Sequence, residues 1–159
     1  MSATKSEVEV AVLRDFQSVC PDFQGKAPIV KSCQPPEPDC LVSCSDGSAT
    51  FFELRRIADP EMEQKINDKK IPVDEKGGFG PDDGLVGECV RDEILKSGAY
   101  KADGLGFDLL LYFDLLSPHL LPRNVIDHYV NAVIAKLGKG SFRKIWVFVL
   151  HEKQIIACY

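Results

Sequence analysis

The chain has 159 residues, enough for a single domain (1–159) to bury a core without disulfide or metal support. Apolar residues make up 45% and the net charge is −5, so the chain reads as globular and lacks the broad basic field behind general phosphate attraction. No apolar run approaches the ~20 residues that cross a bilayer, and "MSATKSEVEVAVLRDF" lacks the basic start, apolar centre and cleavage site of a signal peptide. The expectation is a cytoplasmic protein without a membrane partner.

In chain order, Thr4 and Glu7 have capping-box spacing, and Val8, Val12, Phe16 and Val19 follow at helical intervals. This predicts a helix over about 5–19, ended by Pro21. "APIVKSC" (27–33) reads as a short strand, and "PDCLVSCSDGSATFFELRR" (38–56) reads as two strands around a turn. Asp59 and Pro60 open a predicted helix over about 60–70, followed by the Gly-, Pro- and Asp-rich loop "IPVDEKGGFGPDDG". "LVGECVRDEILKSG" predicts a helix closed by Gly98, and "FDLLLYFDLL" (107–116) a central strand. Pro122 opens an amphipathic helix that stops at Gly138, and "KIWVFVLHEKQIIACY" forms two strands around its "HEKQ" turn. The fold class is therefore α/β, a mixed central β-sheet flanked by helices, ending in a helix and a strand pair.

The six cysteines contain no C-x-x-C pair and no accompanying histidine pattern, so they read as reduced packing residues. Cys40 and Cys44 face one way along their strand. The histidines His119, His128 and His151 show no ligand spacing, and Trp146 within "IWVFVL" reads as core.

The hairpin turn raises a chemical question. With Ser45, Asp46 and Gly47 as a three-residue loop and Gly47 in the left-handed region, Cys44 pairs with Ser48. Asp39 then stands opposite Glu53, and Arg55 joins them on the same face. Two carboxylates facing each other at about 5 Å repel unless a cation lies between them. A hard, oxygen-seeking ion such as Mg²⁺, or Mn²⁺, relieves that repulsion. A two-residue loop would put the acids on opposite faces and remove the argument.

A Pro-Asp opening one arm of a hairpin, then an acidic residue, one residue and a basic residue near the end of the next arm, resembles the PD-(D/E)XK nuclease superfamily. The order helix, three strands, helix, strand over about residues 5–115 is similar too, which implies a restriction-endonuclease-like core. By that resemblance Asp39 and Glu53 bind Mg²⁺ or Mn²⁺ with the backbone carbonyl of Leu54, and Asp39, Glu53 and Arg55 are the catalytic set. The resemblance further implies a first-helix glutamate, Glu7 or Glu9, and a DNA phosphodiester as substrate. The chain departs from the pattern where Arg55 stands for lysine, because a guanidinium grips phosphate but does not readily release a proton.

Three outcomes stay open. Arg55 stabilises charge in an active site; Lys65 or Lys96 supplies the amine from a neighbouring helix; or the chemistry is lost. In the last case the fold serves as a protein-interaction or immunity-type module, with a protein partner or a second copy of the chain as its ligand. An acidic net charge suits that alternative.

Overall fold

The computed structural model describes residues 2–57, 84–114 and 122–159. Helix α1 (Lys5–Val19) begins at Thr4, whose side chain accepts from the Glu7 N–H while the Glu7 carboxylate accepts from the Thr4 N–H. That is the capping box anticipated from the sequence. The helix leaves its α geometry at Cys20, and Pro21–Phe23 form a single 3₁₀ turn.

Strands β1 (Ile29–Ser32), β2 (Cys40–Ser43) and β3 (Ala49–Arg56) form an antiparallel meander. Helix α2 (Gly84–Lys96) precedes β4 (Phe107–Phe113), which pairs parallel to β3. Helix α3 (Arg123–Leu137) leads into β5 (Ile145–Val149), parallel to β4, and β6 (Gln154–Cys158) returns antiparallel. The six strands lie in sequence order across one mixed sheet. Parallel neighbours need a crossover, and helices α2 and α3 lie on the two crossover connections.

Both faces of the sheet are covered. Phe51, Leu109, Leu111, Phe113, Val147 and Val149 pack with Val86, Val90 and Ile94 of α2 and Ile126 and Val130 of α3. On the other face Cys40, Val42, Phe52, Leu110 and Phe148 pack with Val12, Leu13 and Phe16 of α1. Every residue of β4 and β5 is buried, as expected of strands covered on both sides. Phe16 makes edge-to-face contacts with Phe52 of β3 and with Trp146 and Phe148 of β5, and so pins α1 to two strands.

Two expectations shift in detail. The buried stripe of α1 is Glu9, Val12, Leu13 and Phe16, whereas Val8 and Val19 are exposed. Helix α2 runs into a 3₁₀ turn at Ser97–Ala99, with Gly98 inside it rather than beyond it. The helix over 60–70, the glycine-rich loop after it, residues 115 and 116 of the expected central strand, Lys65 and His119 lie outside the described residues. Among the described residues no helix is long and apolar enough to cross a membrane.

The end of α2 is locked to the loop before β5. The buried Ser97 hydroxyl donates to the Ile94 carbonyl at 2.7 Å and accepts from the Ser141 N–H at 2.9 Å. Gly140 makes this approach possible with φ +59, and a Cβ there would strike the Ser97 hydroxyl and stand 2.9 Å from the Ile94 carbonyl. Gly140→Ala therefore combines left-handed strain with a clash against backbone. It is expected to cost about 3 kcal/mol or more, read as a lower urea midpoint with an unchanged slope.

Candidate functional site

Gly47 adopts φ +86 at the hairpin corner, a region an L side chain rarely enters. The corner closes through the Gly47 N–H to the Cys44 carbonyl at 3.1 Å and the Cys44 N–H to the Ser48 carbonyl at 2.9 Å. Asp46 completes it by accepting from the Ser48 N–H at 2.9 Å. With this three-residue loop the arms pair Ser43 with Ala49 and Cys40 with Phe52. One position further, Asp39 meets Glu53.

The two acids clasp each other's strands. The Asp39 N–H donates to Glu53 Oε2 at 3.2 Å, and the Leu54 N–H donates to Asp39 Oδ2 at 2.9 Å. Each carboxylate thus serves a backbone donor where the β2–β3 ladder ends. Alternation along β3 puts Glu53 on the face of Phe51, the side covered by α2, while Phe52 and Leu54 pack towards α1.

Two further acids, one from each layer, line the same pocket. Glu9 of α1 is 6% exposed, and Glu93 of α2 is 3% exposed. The Tyr100 hydroxyl donates to Glu53 Oε1 at 2.8 Å and lies 3.4 Å from Glu93 Oε2. The Tyr100 ring rests edge-on against Phe107, which fixes where that hydroxyl points. Buried charge of one sign demands compensation. Lys5 Nζ stands 3.2 Å from Glu9 Oε1 and 3.7 Å from Asp39 Oδ1. Arg55 Nη1 lies 3.3 Å, and Lys96 Nζ 3.9 Å, from Glu93 Oε1. Glu9, Glu53, Glu93, Tyr100 and the three cations line a pocket of about 530 Å³ beyond the ends of β3 and β4, with Arg56 and Tyr112 completing its wall.

The electrostatics follow from the burial. Glu53 is pushed up to about 7, first by burial and then by the Asp39 charge, with the Tyr100 hydrogen bond opposing both. Glu9 and Glu93 are raised as well, burial again being the largest cause. Lys5 is held above the ordinary lysine value, chiefly by Asp39. Glu9, Glu53 and Glu93 thus hold their protons more tightly than in the open chain, with cations distributed around them.

Of the residues singled out from the sequence, Asp39, Glu53 and Glu9 converge, and Leu54 and Lys96 line the same pocket. Glu7 is spent on the helix cap, since its carboxylate accepts from the Thr4 N–H at 2.8 Å. Arg55 turns towards α2 and its partner Glu93 rather than towards Glu53. Lys5, Glu93 and Tyr100 did not stand out in the sequence. Lys5 carries one usable signal, a fixed i, i+4 spacing from Glu9, which brings the two together once the helix is recognised.

A separate buried acid, Asp108 at the start of β4, is fully engaged. It accepts from Arg143 Nε and Nη2 at 3.1 and 3.2 Å and from Trp146 Nε1 at 3.0 Å. Trp146 is thus core, as expected, and also a hydrogen-bond donor to a buried carboxylate.

Among the described residues, no three carboxylate, thiol or imidazole side chains are grouped closely enough to cage a metal ion by themselves. No protein-family profile, curated protein or solved structure matches this chain. The geometry of its own residues therefore carries the functional argument.

The raised Glu53 has a thermodynamic consequence. A carboxyl whose folded value exceeds its unfolded one favours the fold below about 4.5, and that contribution disappears as pH rises through about 7. Glu53→Gln removes the titration. The stability of the variant relative to wild type is expected to rise by about 1–2 kcal/mol between pH 5 and pH 8. Urea denaturation at both pH values measures it, and a pH-independent difference contradicts the assignment.

Proposed function

We propose that the protein is a nuclease-like, metal-dependent phosphodiesterase that cuts DNA, with Asp39 and Glu53 holding Mg²⁺ or Mn²⁺. The observation that carries this reading is the pairing of the two carboxylates across the β2–β3 hairpin, with Glu53 opening onto a pocket walled by Lys5, Arg55, Arg56 and Lys96. Acids in the interior suit a divalent cation, and cations around them suit the phosphate such an ion would polarise. The order of elements, a helix, an antiparallel three-strand meander, a helix and a parallel fourth strand, supports a restriction-endonuclease-like core.

The donor set fits a hard cation. Asp39, Glu53 and Glu9 offer only carboxylate oxygens, and the hydrogen-bonded oxygens of Asp39 and Glu53 each keep a lone pair beyond the one bond they accept. A lysine ammonium already lies against the Glu9–Asp39 edge. Mg²⁺ keeps several waters and takes one or two carboxylates plus phosphate oxygens, so the Asp39–Glu53 pair is the part of the set that it would use. When bound, the ion would acidify a water and neutralise charge on the phosphate.

The chain's own residues do the rest. The Leu54 and Asp39 N–H groups hold the two carboxylates in place, and Tyr100 fixes the second oxygen of Glu53. Arg55 keeps its charge at any working pH and, tied to Glu93, is a fixed positive wall for phosphate rather than a proton acceptor. Lys96 flanks the same Glu93 oxygen from α2 and is the amine that substitutes for the missing motif lysine.

A second reading is favoured by one observation: the acids are already served internally, by N–H groups, Tyr100, Lys5 and Arg55. A catalytically silent domain that binds a protein partner would keep such a closed network for stability alone. Supercoiled plasmid incubated with Mg²⁺ or Mn²⁺ separates the two. Wild type is expected to nick it, with Asp39→Ala and Glu53→Gln slower by at least about 100-fold. Absent cleavage, or equal cleavage in all three, favours the silent domain. Calorimetric binding of Mn²⁺ to wild type but not to Glu53→Gln supports the metal site independently of activity.

A further inference from the structure

The first turn of a helix favours acidic residues, because unsatisfied N–H groups give that end a partial positive charge. Lys5 occupies that position in α1 and is 81% exposed at its side chain. Helix electrostatics do not account for a lysine there. Its ammonium instead reaches across to Glu9 Oε1 at 3.2 Å and to Asp39 Oδ1 at 3.7 Å, bridging an acid of α1 and an acid of the hairpin. Among the described residues it is the cation paired with Asp39, since Arg55 and Lys96 both pair with Glu93.

We propose that Lys5 is a tethered counter-ion of the Asp39–Glu9 edge, which holds these carboxylates until a divalent ion displaces it and so sets the ion concentration at which the site fills. The proposal rests on the metal-binding reading of Asp39 and Glu53 and adds a competitor within the chain. The physical basis is steric and electrostatic. An ammonium 3.7 Å from Asp39 Oδ1 occupies space that an ion bound to that oxygen needs. A divalent ion at the same oxygen repels it strongly. The displacement is easy on the lysine side, because the Lys5 side chain is largely in water already and its head regains full hydration when it leaves. Glu9 gains a second role, as the anchor that keeps the ammonium near Asp39 when the site holds no metal.

The test is Mn²⁺ affinity of the full chain, measured by calorimetry and by the loss of the free-ion paramagnetic resonance signal, with no nucleic acid present. Lys5→Met is expected to bind Mn²⁺ about two- to fivefold more tightly than wild type, the effect of one exposed ion pair expressed as a binding constant. Lys5→Arg, which keeps the charge and the reach, is expected to retain wild-type affinity. Lys96→Met, which removes a cation that pairs with Glu93 rather than Asp39, controls for the general loss of positive charge and is expected to change affinity by less than the Lys5 variant. Equal affinity in wild type and Lys5→Met, or an equal gain in Lys96→Met, overturns the counter-ion role and leaves the metal reading standing. Absence of Mn²⁺ binding in every protein, with folded circular dichroism spectra, overturns both.

Discussion

A left-handed glycine at one hairpin corner controls the chemistry of this molecule. Gly47 allows a three-residue loop, and that loop length decides whether Asp39 and Glu53 meet or turn away from each other. A register slip of one residue would send Glu53 to the α1 side of the sheet and a core phenylalanine into the pocket. The strands are held in register by packing on both faces: Phe51 and Leu41 on one side, Phe52, Cys40 and Val42 on the other. The position of the acids is therefore inherited from the core.

Carboxylates placed this way raise an energetic problem that the surrounding residues resolve in parts. Backbone N–H groups of Asp39 and Leu54 serve one oxygen of each acid, and Tyr100 serves the other oxygen of Glu53. The remaining charge is met by amines and guanidinium groups from α1, β3 and α2. These amines and the guanidinium are all substantially exposed. The arrangement leaves the acids stable enough to fold around, yet available to a stronger cation, and a phosphodiester reading of the pocket depends on that balance.

Much of the architecture was legible in the sequence because local signals agreed with tertiary demands. The Thr4–Glu7 cap, the Ser45–Gly47 turn, Pro122 and Gly138 each mark a boundary by a backbone requirement that few other residues meet. The uninterrupted apolar residues of β4 and β5 announced strands covered on both sides. The α1 stripe was less legible: an apolar-periodicity argument assigns Val8 inward, whereas Val8 is exposed and Glu9 is buried, paired with Lys5. Glu93 and Tyr100 reach the site only through the packing of α2 on β3 and of Tyr100 on Phe107, and no spacing in the chain encodes that. The motif acids could be found because one hairpin joins them, and their partners were hidden because only the fold does.

The four acids come from α1, the approach to β2, β3 and α2, two layers and a sheet that meet only when the chain closes. The denatured protein keeps them far apart and well hydrated, so it does not experience their mutual repulsion. That repulsion belongs to the native ensemble and to whatever late assembly precedes it. On the kinetic side, contacts consolidated after the folding barrier are expressed in how fast the native state opens rather than in how fast it forms. The charge state of this pocket is thus coupled to the stability of the folded molecule, and protonation of its raised acids favours the native form over the denatured chain.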